Sequence, residues 1–125
     1  MTGRLVTVVL TTTDLDRAVA LYRDGFGLDL HLGDHEGDDQ WTRGRHAATS
    51  WTEGAFLHFA IYEAQDTQST TRAQIAFEVN DLDAAHERAV AAGAEVLHGS
   101  KPQPWGRSTR YEDHDGNTIE LTERP

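Results

Sequence analysis

The sequence predicts an α+β fold assembled from two tandem β-α-β-β-β modules. Three observations carry that prediction. Asp14-Leu15-Asp16 recurs as Asp81-Leu82-Asp83, 67 residues later. Each tripeptide follows a segment of alternating apolar and polar residues. Each is followed by an amphipathic stretch, a glycine and further strand-like runs, so the repeat extends beyond a three-letter match.

The elements follow in order. Val6, Val8 and Leu10 alternate with Thr7, Val9 and Thr11, the period of a half-buried strand. Leu15, Ala18, Val19 and Tyr22 then recur at helical spacing and form one apolar face. Thr13 or Asp14 caps that helix, Asp16 suits the positive end of its dipole, and Gly25 or Gly27 ends it. Strands are expected near 28–32, 41–51 and 55–62, with a turn at Glu53-Gly54. Residues 33–40 (GDHEGDDQ) read as an acidic loop, and 64–71 (AQDTQSTT) as a polar linker.

The second half repeats the pattern. Ile75, Phe77 and Val79 alternate with Gln74, Ala76 and Glu78. Leu82, Ala85, Ala89 and Val90 mark a helix face, capped by Asn80 or Asp81 and closed by Gly93. Strands are expected near 95–98, 107–113 and 117–122, with a turn at Asp115-Gly116-Asn117. Alternation puts Phe56, His58, Ala60 and Tyr62 on one face, and Leu57, Phe59 and Ile61 against the helix. Thr118, Glu120 and Thr122 likewise oppose Ile119 and Leu121. The expected organisation is one domain over 1–125: a first module over about 1–63, the linker over about 64–71, and a second module over about 72–125.

Composition narrows the function. The 125 residues carry 11 Lys+Arg against 21 Asp+Glu, a net charge of −10. Nucleic acid and anionic membranes both need a basic footprint, so neither is expected as a partner. Without cysteine there is no disulfide framework, thiolate zinc site or cysteine nucleophile. No apolar stretch is long enough to span a bilayer and residues 1–7 lack a signal-peptide pattern, which points to a cytoplasmic protein. A glycine-rich phosphate loop, a serine elbow and a His-Glu-x-x-His motif are all absent from the sequence. The acids of the loop, the helix starts and the last hairpin are assigned to turns, caps and solubility. Glu120 is the one expected inside.

Residues 13–27 (TDLDRAVALYRDGFG), 77–93 (FEVNDLDAAHERAVAAG) and 111–122 (YEDHDGNTIELT) resemble the vicinal oxygen chelate superfamily. That superfamily includes glyoxalase I, extradiol dioxygenases, fosfomycin-resistance enzymes and bleomycin-resistance proteins. The resemblance covers essentially the whole chain, with His114 where the closing hairpin commonly has proline. It implies a cupped mixed sheet in which each module forms one cup and the two enclose a ligand groove. It also implies a homodimer. The superfamily holds metals at four equivalent positions, which fall here on Thr7, His58, Gln74 and Glu120. His and Glu are good ligands, a glutamine oxygen is acceptable and a threonine hydroxyl is poor.

That set leaves two main readings, beside a third in which a metal-free enzyme uses His58 or Glu120 as general base next to an arginine. The first is a protein that binds a small aromatic molecule in the manner of the bleomycin-resistance proteins, by sequestration or a metal-independent step, with no cofactor required. The alternative is a metal-dependent lyase, isomerase or transferase using a divalent metal on His58, Gln74 and Glu120, with His58 and Glu120 the catalytic candidates. A blander account makes the same residues a polar floor, with His58 and Glu120 hydrogen-bonded to each other. Trp41, Trp51 and Trp105 are expected to wall the groove with flat faces, joined by Phe56, Tyr62 and Tyr111. Arg45 and Arg107 lie 62 residues apart, the same offset as His58 and Glu120. They are expected either to meet an anionic or carbonyl group of the ligand, or to form ordinary salt bridges.

Overall fold

The computed structural model describes residues 3–35, 44–54, 56–64, 72–104 and 106–123. Residues 65–71 of the linker expected over 64–71, and residues 36–40 of the expected acidic loop, lie outside them. The first module consists of β1 (Thr7–Thr12), α1 (Leu15–Val19), β2 (His31–His35), β3 (Gly44–Trp51) and β4 (Leu57–Glu63). The second consists of β5 (Gln74–Glu78), α2 (Leu82–Ala91), β6 (Glu95–Gln103), β7 (Gly106–Glu112) and β8 (Thr118–Glu123). Each module makes its own four-stranded mixed sheet, in the orders β1-β4-β3-β2 and β5-β8-β7-β6. The first and last strands of each module pair in parallel, and the other pairs are antiparallel.

Both helices start as the sequence predicts. Asp14 and Asp81 adopt extended backbone and accept hydrogen bonds from the amides of Arg17 and Ala84, satisfying donors the helix leaves free. α1 continues into a π-helical turn over Ala20–Gly25, and Gly27 follows it with φ 79°. The apolar stripe of α2 is Leu82, Ala85 and Ala89; Val90, predicted to belong to it, is exposed. Among the described residues no helix is long and apolar enough to cross a membrane.

The core lies between the two modules. Alternation turns Leu10, Phe59 and Ile61 of one sheet, and Phe77, Ile119 and Leu121 of the other, toward the helices. Phe59 and Phe77 meet edge to face at 5.7 Å, and Phe26 reaches Tyr111 at 5.6 Å. The helices cross where Gly25 meets Ala92: a Cβ at Gly25 would lie 3.0 Å from the Ala92 Cβ.

One end of this interface is fastened by the turn between β7 and β8. Tyr22 donates to Asp113 Oδ2 at 2.7 Å, and Asn117 Nδ2 donates to the same oxygen at 2.8 Å. Asp113 Oδ1 accepts from the amides of Asp115 and Asn117. Asp115 in turn accepts from the hydroxyls of Thr12 and Thr13 in the first module. The sequence assigns Asp113 and Asp115 to turns, caps and solubility, and Asp113 does hold the turn, but neither is a solvent-facing acid. They are instead buried, at 6% and 9% exposure, and remain tolerable because hydrogen-bond donors surround them. Burial first, and then the Asp113 carboxylate, hold the Tyr22 proton far above the ordinary range for loss.

Candidate functional site

Of the residues expected to line a groove, Thr7, His58, Tyr62, Gln74 and Glu120 lie on the sheet faces turned away from the helices. In the first module the pairing puts Thr7 beside His58, His58 beside Ser50, and Tyr62 beside His46. Ser50 Oγ lies 2.8 Å from His58 Nδ1, and the His46 and Tyr62 rings stack at 4.7 Å. In the second module, Ala76, Glu120, Arg110 and His98 form one row across β5, β8, β7 and β6. Gln74, Thr118, Arg110 and Glu120 line a cavity of about 200 Å³ there. Arg110 Nη2 approaches Glu120 Oε2 at 3.6 Å. Three buried atoms of this row, Glu120 Oε1, Arg110 Nε and His98 Nε2, have no hydrogen-bond partner in the structure.

The two outward faces do not meet within the chain, which corrects the expectation of one enclosed groove. The helix-facing sides are the ones that face each other, as the Phe59–Phe77 contact shows. Thr7 and His58 therefore share one face while Gln74 and Glu120 share another. His58 and Glu120 do not bond to each other; their partners are Ser50 and Arg110.

The pairing also corrects the supposed equivalence of His58 and Glu120. The amide of His58 donates to Val6 O, and that of Thr118 to Ala73 O. The first strands and helices correspond at an offset of 67, so these bonds relate β4 to β8 at an offset of 60. His58 thus matches Thr118, and Glu120 matches Ala60. Counting from the turn glycine misleads because the β3–β4 hairpin is two residues longer than its counterpart between equivalent ion pairs. Those pairs fix the comparison: Arg45 binds Asp16 and Glu63, and Arg107 binds Asp83 and Glu123.

Arg45 and Arg107 are thereby occupied as matched surface clamps joining helix start, third strand and fourth strand. Each guanidinium holds its proton more firmly than usual through a hydrogen-bonded carboxylate, Asp16 for Arg45 and Glu123 for Arg107. The ordinary salt-bridge account of the two arginines is the one the structure supports.

Two aromatic assignments also change. Tyr111 lies fully buried on the helix side, its hydroxyl donating to Thr109 and lying 2.7 Å from His86 Nδ1. Trp51 is also on the helix side, 6.3 Å from Phe77. Phe56 precedes β4 and is 44% exposed. Trp41 and Trp105 lie outside the described residues.

Residues 4–121 match the family model described as the Glyoxalase/Bleomycin resistance protein/Dioxygenase superfamily. The chain belongs to this superfamily. Solved structures agree. TnmS3, described as an antibiotic binding protein from Streptomyces sp. CB03234, superposes with a TM-score of 0.73 at 26% identity, covering 99% of this chain and 98% of that one. TioX from Micromonospora sp. ML1 gives 0.65 at 26% identity, covering 98% and 100%. A glyoxalase/bleomycin resistance protein from Streptomyces sp. CB03234 gives 0.68 at 27%, covering 95% and 99%. No curated protein matches the sequence.

Within one copy of the chain, the residues at the superfamily's four metal positions are divided between two sheets and do not fit a metal centre. A centre with an open position for substrate needs about three firm protein ligands. Thr7 offers a weak hydroxyl, His58 stands two positions out of register with Glu120, and its Nδ1 is engaged by Ser50. Gln74 and Glu120 remain, with Arg110 beside the carboxylate. A guanidinium there competes with a cation for the same oxygens. Among the described residues no group of three His, Asp or Glu side chains is placed to hold a metal ion.

Proposed function

We propose that this protein binds and sequesters a small aromatic molecule between its outward sheet faces, a second copy supplying the opposing half. The supporting observation is the row Glu120–Arg110–His98, with three buried polar atoms left unpartnered beside a cavity of about 200 Å³. Leaving such an atom unsatisfied costs about 1–3 kcal/mol. A ligand edge carrying both a hydroxyl and a carbonyl answers that need. Glu120 accepts from the hydroxyl, Arg110 donates to the carbonyl, and no bond is made or broken.

The other outward face supplies complementary chemistry. Val9 is 41% exposed there, and Thr7, His58 and Tyr62 surround it with polar edges and a stacked ring. A twofold axis that seats the first sheet of one copy on the second sheet of its partner creates two identical sites. The likeness to TnmS3, an antibiotic binding protein, supports this class of ligand.

The test combines sedimentation with a fluorescence titration of planar hydroxy-carbonyl aromatics, tetracycline and anthraquinone dyes among them. A dimer that saturates at two ligands is expected. Glu120→Gln and Arg110→Ala should each weaken binding at least tenfold without moving the melting temperature. A monomer, or unchanged affinity in both variants, would overturn the proposal.

A further inference from the structure

The two ends of the interface between the modules are related by the repeat yet built differently. At the end fastened by Tyr22 and Asp113, the hollow bounded by Leu21, Glu95 and Asp113 measures about 70 Å³. The opposite end is bounded by the corresponding positions: Arg88 for Leu21, Leu28 for Glu95 and Trp51 for Asp113. There the cavity measures about 630 Å³. Ala89 stands where the first module has Tyr22, so a methyl group replaces a ring and its hydroxyl. Among the described residues no hydrogen bond links 52–54 to 79–80, whereas the equivalent turn is bonded to Thr12 and Thr13.

We propose that this cavity is a second ligand site, distinct from the outward faces, for a planar aromatic acid. Its volume lies in the range of sites for drug-sized molecules. Phe26, Trp51, Phe59 and Phe77 line it, and Phe77 stands between the other two large rings of the opposing sheet. Trp51 is 39% exposed, a large indole face at the rim. Flat aromatic walls favour a flat aromatic occupant through offset stacking and edge contacts.

The rim supplies the charge. Arg88 borders the cavity, and its Nη2 lies 3.7 Å from the Cβ position of Gly27, so the guanidinium rests over that glycine. Arg88 has no carboxylate partner among the described residues, unlike Arg45, Arg107 and Arg110. Of the two acids that border the cavity, Asp81 is turned to the α2 amides as a cap. Glu78 shares the outward face with Thr122. The guanidinium is therefore placed to take a carboxylate or sulfonate in a bidentate grip.

Anilinonaphthalene sulfonate, aromatic and anionic, is the probe, with the uncharged phenylnaphthylamine as its neutral counterpart. Saturable binding of one sulfonate probe per chain is expected. Val79→Phe, which fills the cavity, should weaken both probes at least tenfold, with Leu57→Phe as a second filling variant should the first not fold. Arg88→Gln should weaken the sulfonate about tenfold and leave the neutral probe unchanged. Glu120→Gln should change neither, which separates this site from the outward one. The proposal is overturned if the probe does not bind, if filling variants bind it unchanged, if Glu120→Gln abolishes binding, or if Arg88→Gln affects both probes alike.

Discussion

Replacing Tyr22 by phenylalanine removes one oxygen from the fastened end of the interface and leaves the ring in place. That ring is 1% exposed and packs on Phe26 at 5.2 Å and Phe59 at 6.0 Å, contacts the variant keeps. What disappears is the 2.7 Å hydrogen bond to Asp113 Oδ2. A bond to a charged acceptor contributes about 1.5–3 kcal/mol, and Asp113 retains Asn117 Nδ2 on the same oxygen, so about 2 kcal/mol is expected. With about 2.1 cal/mol/K of unfolding entropy per residue, that corresponds to a fall in melting temperature of roughly 8 °C. Urea unfolding of both proteins at pH 7 measures the difference directly. The pH dependence supplies an independent check. Because the folded Tyr22 keeps its proton above the unfolded value of 10.0, its stabilisation is complete below pH 10 and is lost above it, as the unfolded chain ionises first. The gap between the two proteins should therefore shrink by about 1.4 kcal/mol per pH unit above 10. A difference at pH 7 under about 0.5 kcal/mol, or a gap that widens in alkali, would refute the reasoning.

Other perturbations follow from the same contacts. Asp115→Ala removes the carboxylate that accepts from the Thr12 and Thr13 hydroxyls and should cost about 2–3 kcal/mol, read as a lower urea midpoint. Gly25→Val forces a branched side chain against Ala92 and should cost about 1–3 kcal/mol by the same measurement. The Glu123 carboxyl is held below its ordinary 4.5, chiefly by the Leu82 amide and then by Arg107. Its contribution is therefore present above that value and lost as pH falls through the lower, folded one. The stability gap between the protein and Glu123→Gln should be constant near neutrality and close in acid; a gap that grows in acid would contradict the assignment.

The module pattern was legible because its determinants are local. Val6 to Thr11 and Gln74 to Val79 alternate, and Asp14 and Asp81 sit where helices need acceptors, whatever the rest of the chain does. Face assignments within β4 and β8 were legible for the same reason: Phe59, Ile61, Ile119 and Leu121 all point toward the helices. Which faces meet is a long-range matter. Alternation marks both sides of each sheet but not that the helix-facing sides come together, so Trp51 and Tyr111 were placed on the wrong side. The counterpart of Glu120 was missed because the turn glycines, equally spaced from Arg45 and Arg107, stand nine residues before Glu63 in one module and seven before Glu123 in the other. Asp113 and Asp115 looked like exposed hairpin acids because nothing nearby in sequence shows the Tyr22 and Thr12 hydroxyls that donate to them. That signal exists only as a pair, a tyrosine in the first helix matched by alanine in the second.

Strand order within each sheet also shapes how the chain can fold. β4 lies between β1 and β3, and β8 between β5 and β7, so the last strand of each module completes its sheet. Thr7 pairs with His58 and Gln74 with Thr118, so each first strand waits for chain some 40 to 50 residues downstream before it gains any sheet partner. Closing loops of that length costs entropy before the parallel ladder returns any of it. Assembly kinetics should therefore be governed by loop closure, with hairpins and helices forming early and β1 and β5 docking last.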